Sequence, residues 1–173
     1  MAVRADKLQP EEGTDGWCTP AWLAEVLGPF DLDPCSNARS HIRACERRAR
    51  ERGEDGLAER WGRRVVFVNP PYSSVLPWAS KLADHDGPWV ALLKLDPTTR
   101  WWATLMSAAP TVAPFRGRIK FESGVGRDMT ANFPSVLVWS AWRPPAALIP
   151  HLWLPTYERS KPPIPGGRHA EAR

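Results

Sequence analysis

Along residues 14–157, short apolar runs closed by turn residues alternate with stretches whose apolar positions recur every three or four residues. Runs of the first kind suit buried strands and stretches of the second kind suit helices packed on them. Their alternation predicts an α/β domain with a largely parallel sheet and flanking helices. Strands are expected at 30–33, 65–69, 89–95, 111–115 and 135–141, with a weaker sixth at 118–122. Helices are expected at 20–27, with Pro20 in the first turn after Thr19, and at 38–52, 75–84 and 98–108. Residues 1–13 are polar, and 158–173 are rich in Pro, Gly and charge with little to bury, so both are expected to be flexible or disordered.

In an open α/β sheet, ligands bind beyond the carboxyl ends of the strands, which directs attention to the residues that follow each run. Two such ends are unusual. One run leads into Asp33-Pro34-Cys35-Ser36-Asn37, and Val65-Val66-Phe67-Val68 leads straight into Asn69-Pro70-Pro71-Tyr72. Two successive prolines remove two backbone donors and fix two φ angles, which leaves a rigid loop rich in acceptors. The Asn69 side-chain carbonyl and the Pro70 backbone carbonyl suit the two N–H groups of an exocyclic amine, and Tyr72 offers a ring for stacking. No Ser/His/Asp or Cys/His constellation accompanies the loop, so the expected chemistry is positioning of an amine rather than acid–base or nucleophilic catalysis. An ordinary tight Pro-Pro turn with a surface tyrosine is the rival reading.

A length of 173 residues fits one ordinary domain, and 43% hydrophobic with 24% charged residues excludes a disordered, collagenous or coiled-coil chain. No apolar run reaches the roughly 18 residues of a membrane span, and the N-terminus lacks an apolar signal core. Cys18, Cys35 and Cys45 are scattered and odd in number, which speaks against a disulfide framework or a zinc site. The expectation is a cytoplasmic protein without metal or membrane.

The net charge is +4, and residues 39–64 alone carry nine arginines against five acids. On the expected helix 38–52, Arg39, Arg43, Arg47 and Arg50 would fall along one face, a stripe suited to a phosphate backbone. Pairing of Arg43 with Glu46, Arg47 with Glu51 and Arg50 with Glu54 on a solvated face competes with that reading. Arg100, ahead of Trp101-Trp102, and Arg127, in the loop-like segment 124–132, are further candidates for DNA contact.

An ordered set of blocks resembles the phage-type DNA N6-adenine methyltransferases of the Dam group. The blocks are Asp15-Gly16-Trp17-Cys18-Thr19-Pro20, Phe30-Asp31-Leu32-Asp33-Pro34-Cys35, Asp55-Gly56-Leu57, Val68-Asn69-Pro70-Pro71-Tyr72-Ser73, Thr99-Arg100-Trp101-Trp102, Gly117-Arg118-Ile119-Lys120-Phe121 and Phe133-Pro134-Ser135-Val136. The resemblance implies a shortened Rossmann-like fold, S-adenosylmethionine as methyl donor, double-stranded DNA as substrate, and a bacterial cell or phage-infected host as the setting. It places Asn69, Pro70, Pro71 and Tyr72 around the target amine, and Trp17, Thr19, Pro20, Asp33, Pro34, Cys35 and Asp55 around the cofactor. Thr19 is also placed to cap the helix after Pro20. The sequence departs from the usual pattern at Ser36-Asn37-Ala38, where a glycine-rich turn is expected. The stretch between Asp33 and Asp55 has room for one helix but not for a further strand and helix, so the usual ribose-binding acid at a second strand end is expected to be missing. Two alternatives stand beside this reading: methylation of a protein glutamine or an RNA amine, and a non-catalytic basic nucleic-acid-binding module.

Overall fold

The computed structural model describes residues 14–122 and 129–154. The expected tails 1–13 and 158–173, and Arg127, lie outside the described residues. Six strands form the main sheet: β1 (Phe30–Ser36), β2 (Ala44–Ala49), β3 (Val66–Val68), β4 (Trp89–Lys94), β5 (Thr111–Pro114) and β8 (Ser135–Ser140), in the order β2-β1-β3-β4-β8-β5. β1 pairs in parallel with β2 and β3, and β3 with β4, whereas β8 runs antiparallel to both β4 and β5. β5 therefore points the same way as β1 to β4, and the sheet is parallel except for β8. A separate hairpin pairs β6 (Lys120–Phe121) with β7 (Met129–Thr130).

The central strands read as continuous apolar runs because both of their faces are covered. Their alternate residues separate into two cores. Phe67, Val90, Leu92, Leu137 and Trp139 join Leu23 and Leu27 of α1 (Ala21–Leu27) on one face. Val66, Val68, Ala91, Leu93, Val136 and Val138 join Trp78 and Leu82 of α2 (Val75–Ala83) and Leu105 of α3 (Arg100–Met106) on the other. Three of the expected helices and all of the expected strands are present. α3 starts at a cap, with the Thr99 hydroxyl accepting from Trp102 N.

The expected helix at 38–52 does not form. Residues 44–49 are the edge strand β2, followed by a single 3-10 turn, Arg50–Arg52, closed by Gly53 at φ 74°. The arginine spacing misled because four residues is close to one helical turn and is also two strand periods, so Arg43 and Arg47 share a side under either geometry. An edge strand with a polar outer side has no apolar alternation to reveal it, and charge on such an edge also discourages pairing with other chains. The switch in strand order lies between β1 and β3. From β1 the chain crosses to β2 on one side and then returns to β3 on the other, which leaves a crevice at their carboxyl ends.

Candidate functional site

The carboxyl end of β1 supplies Asp33, Pro34 and Cys35, and the end of β3 supplies Asn69 to Tyr72. A hydrogen bond from the Asn69 backbone reaches the Cys35 sulfur and joins the two ends. Burial nevertheless pushes the Cys35 thiol well above its ordinary value, so it is no thiolate nucleophile.

Asn69 is oriented from a distance in sequence. Its Nδ2 donates to the hydroxyl of buried Thr19 at 3.2 Å. Thr19 therefore does not cap α1, whose N-terminal position is Pro20 without a side-chain cap. Among the described residues, nothing donates to the Asn69 side-chain carbonyl or to the Pro70 backbone carbonyl. The next carbonyl, of Pro71, accepts from Ser74 N at 3.1 Å and closes the turn. Asp15 clamps the far side of the loop by accepting from Ser73 N at 2.9 Å and from the Ser73 hydroxyl. The resulting loop has two fixed acceptors that the described residues leave unused.

Asp33 is 3% exposed, and burial raises its carboxyl from 3.8 to about 6. Hydrogen bonds from Ser36, Cys35 N and Ser40 and the charge of Arg47 offset only part of that cost. Asp33, Thr19, Trp17 and Asn69 border a small cavity of about 40 Å³. Beside it opens a cleft of about 1000 Å³, at the upper end of the usual range for ligand pockets. Pro34, Cys35, Pro71, Asp55 and Glu51 are among its walls.

Gly56 brings Asp55 to this cleft. A Cβ on Gly56 would lie 1.8 Å from the Pro34 carbonyl oxygen, so only glycine permits the close approach. Asp55 Oδ1 accepts from Leu57 N at 2.9 Å, which makes Asp55-Gly56 both a turn and a wall of the cleft. Glu51 was not among the expected site residues. It stands two residues beyond β2, where an acid would follow a second strand, and it could be found only by recognising that strand.

Pro20 is buried but lines a different hollow, and Tyr72 lines neither the small cavity nor the cleft. The Tyr72 ring meets Phe133 edge-on at 5.2 Å and Phe121 at 6.4 Å, while Trp17 stacks on both phenylalanines. Its hydroxyl is buried without a hydrogen-bond partner, and burial raises its pKa well above the ordinary phenol value.

The expected DNA-binding arginines are differently placed. Arg39 donates to the Gly16 carbonyl at 3.0 Å and borders the large cleft, Arg43 donates to the Glu25 carbonyl at 3.3 Å, and Arg47 donates to the Ser40 and Ile42 carbonyls. Arg100 is exposed at the start of α3, beyond the carboxyl end of β4. Among the described residues there is no cluster of His, Cys, Asp and Glu fit to hold a metal, and no helix long and apolar enough to cross a membrane.

Residues 7–159 match the family described as DNA N-6-adenine-methyltransferase (Dam). The chain is also similar to the DNA N-6-adenine-methyltransferase of Haemophilus phage HP1, at 31% identity over 137 residues, with 72% of this chain and 77% of the phage protein covered. No solved structure matches it.

Proposed function

Since the chain belongs to the DNA N-6-adenine-methyltransferase (Dam) family and is on that ground an adenine-specific DNA methyltransferase, we propose that it uses S-adenosylmethionine to methylate an adenine swung out of the duplex and gripped by Asn69 and Pro70. The observation that carries this reading is the Thr19–Asn69 hydrogen bond, which occupies the amide nitrogen and leaves the carbonyl beside the free Pro70 carbonyl. Two acceptors match the two N–H groups of an adenine amine, and an extruded base is the form in which that amine is reachable.

The cleft fits the donor by its chemistry. Asp33 is a buried carboxylate whose desolvation is only partly compensated, so a cationic group beside it would relieve the cost of its charge. Glu51 and Asp55, which line the neighbouring cleft, are acceptors for ribose hydroxyls and for a purine amine, and Pro34 and Cys35 supply apolar surface. When bound, S-adenosylmethionine supplies an electrophilic methyl group on a sulfonium. Asn69 and Pro70 occupy both amine hydrogens and leave the nitrogen lone pair for that methyl group. Trp17, Tyr72 and Phe133, packed on the buried Phe121, form the apolar wall behind the loop, against which the base lies. Pro71 and Asp15 keep the loop from moving. Catalysis in this scheme is alignment, since neither the Cys35 thiol nor the Tyr72 phenol ionises near neutrality. Arg100 faces the strand that carries the target base.

The test is transfer of labelled methyl from S-adenosylmethionine to unmethylated duplex DNA, with digestion to nucleosides. Label is expected in N6-methyladenine. Label in RNA or in protein glutamine, with none in DNA, contradicts the reading.

A further inference from the structure

Beyond β5, whose carboxyl end leaves the sheet on the same side as Asn69, the chain runs Arg116-Gly117-Arg118-Ile119-Lys120-Phe121. Burial alternates from Arg118 onward. Ile119 and Phe121 point into the core, and Arg118 and Lys120 are exposed on the opposite side. Phe121 packs against Tyr72, so Lys120 stands one residue outside the aromatic wall of the site.

The surface is organised around Arg116. Its Nε donates to the Leu152 carbonyl at 2.9 Å, and its guanidinium lies over the Trp153 ring at 4.1 Å. By contrast, the side chains of Arg118 and Lys120 make no hydrogen bond or ion pair among the described residues. The nearest acid in the chain, Glu122, is already engaged: it accepts from Ala21 N at 2.9 Å and pairs with His41 at 2.6 Å. Trp22, 40% exposed and 5.0 Å from the His151 ring, stands across a hollow of about 440 Å³ that these basic residues border. Free positive charge, exposed aromatic faces and continuity with the amine-binding loop occur together here.

We infer that the Arg116–Lys120 surface, and not the expected stripe of Arg39, Arg43 and Arg47, holds the phosphates of the substrate DNA strand beside the target adenine. This inference rests on the proposed DNA methyltransferase activity. Arg118 and Lys120 make the phosphate contacts, Arg116 and Trp153 hold the segment in place, and Trp22 supplies a face for the neighbouring sugar or base.

The experiment measures binding of duplex DNA against salt concentration for the wild type, the double variant Arg118→Gln/Lys120→Gln, and Arg43→Gln as a comparison from the other segment. Each lost phosphate contact lowers the slope of log K against log salt by about 0.9, so the double variant is expected to lose about 1.8 and to bind at least tenfold more weakly at about 100 mM salt. Its affinity for S-adenosylmethionine and its melting temperature stay at wild-type values, and Arg43→Gln keeps the wild-type slope. An unchanged slope in the double variant, in a preparation whose wild type methylates DNA, overturns the inference and leaves the activity standing. A wild type that binds the methyl donor but neither binds nor labels DNA overturns both.

Discussion

Segment 39–64 contains nine arginines and five acids, and segment 116–120 contains Arg116, Arg118 and Lys120 with no acid. In the first, six of the nine arginines are engaged by the fold, while Arg50, Arg60 and Arg63 are exposed and make no side-chain contact among the described residues. Arg48 pairs with Glu46 at 2.8 Å and with Glu59 at 2.6 Å, Arg64 pairs with the same two acids at 3.0 and 3.1 Å, and Arg52 pairs with Glu54 at 2.8 Å. Arg39, Arg43 and Arg47 donate to backbone carbonyls. These contacts tie the edge strand β2 to the loop that carries Asp55 and Gly56. In the second segment, Arg116 alone has a side-chain partner among the described residues, and Arg118 and Lys120 are exposed. What a polyanion meets is the charge left over after folding, and a count along the sequence does not measure it.

The comparison makes opposite predictions for the two regions. Substitutions at and around the engaged residues of the first should change stability, and those at Arg118 and Lys120 in the second should change DNA binding alone. The largest stability effect is expected for Gly56→Ala, where the new methyl group meets the backbone of Pro34. Overpacking of this kind costs about 3 kcal/mol, a fall in Tm of roughly 6–12 °C measurable by calorimetry. A melting temperature within a degree of wild type would break the claim that this loop is locked to β1.

Asp33→Asn should act in the opposite direction. The folded state holds the Asp33 proton more tightly than the unfolded chain, so this carboxyl favours folding below about pH 4, and that advantage is lost as pH rises through about 6. The rise from 3.8 to about 6 corresponds to about 3 kcal/mol of stability absent at pH 7. The Asn variant should therefore gain up to about that amount at pH 7 and nothing at pH 3.5, while its affinity for S-adenosylmethionine falls. In the wild type, donor affinity should strengthen as pH rises through about 6. A pH-independent gain, or unchanged affinity in the variant, would contradict a cation-binding role for Asp33.

Glu59→Gln should cost about 2 kcal/mol, because it weakens charge-assisted hydrogen bonds from two arginines. Burial pushes the Glu59 carboxyl up, but the hydrogen bonds from Arg64 and Arg48 outweigh it and hold the pKa below the ordinary value. Denaturant unfolding at constant m-value measures the loss; an unchanged midpoint would mean that these charges are as free as those of Arg118 and Lys120. The smallest stability effect is expected for Arg118→Gln/Lys120→Gln, within about 0.5 kcal/mol of wild type, since neither side chain touches a partner among the described residues.

The central strands were legible because Val66 to Val68, Trp89 to Leu93 and Val136 to Trp139 are apolar without interruption, as burial on both faces requires. β2 was not legible, because it has no apolar alternation and its arginine spacing satisfies two periods at once. That single error also hid Glu51, which has meaning only as the acid beyond a second strand. The acceptor loop could be read from Asn69-Pro70-Pro71-Tyr72 itself, since prolines and an amide declare their hydrogen-bonding capacity in any context. Its support could not: Thr19 and Asp15 reach Asn69 and Ser73 across 50 and 58 residues, and a neighbouring Pro20 made helix capping the nearer use for Thr19. Tyr72 could be read as a stacking ring, but not its edge-to-face packing with Phe133 or the burial of its hydroxyl, which depend on residues distant in the sequence.

The most direct test of the account compares wild type with Asn69→Ala for transfer of labelled methyl from S-adenosylmethionine to duplex DNA, alongside donor affinity and melting temperature for both proteins. The acceptor-pair account predicts N6-methyladenine from the wild type and loss of at least a thousandfold in rate for Asn69→Ala, with the fold intact and the methyl donor still bound. A folded Asn69→Ala protein that methylates adenine at a rate near wild type would contradict it.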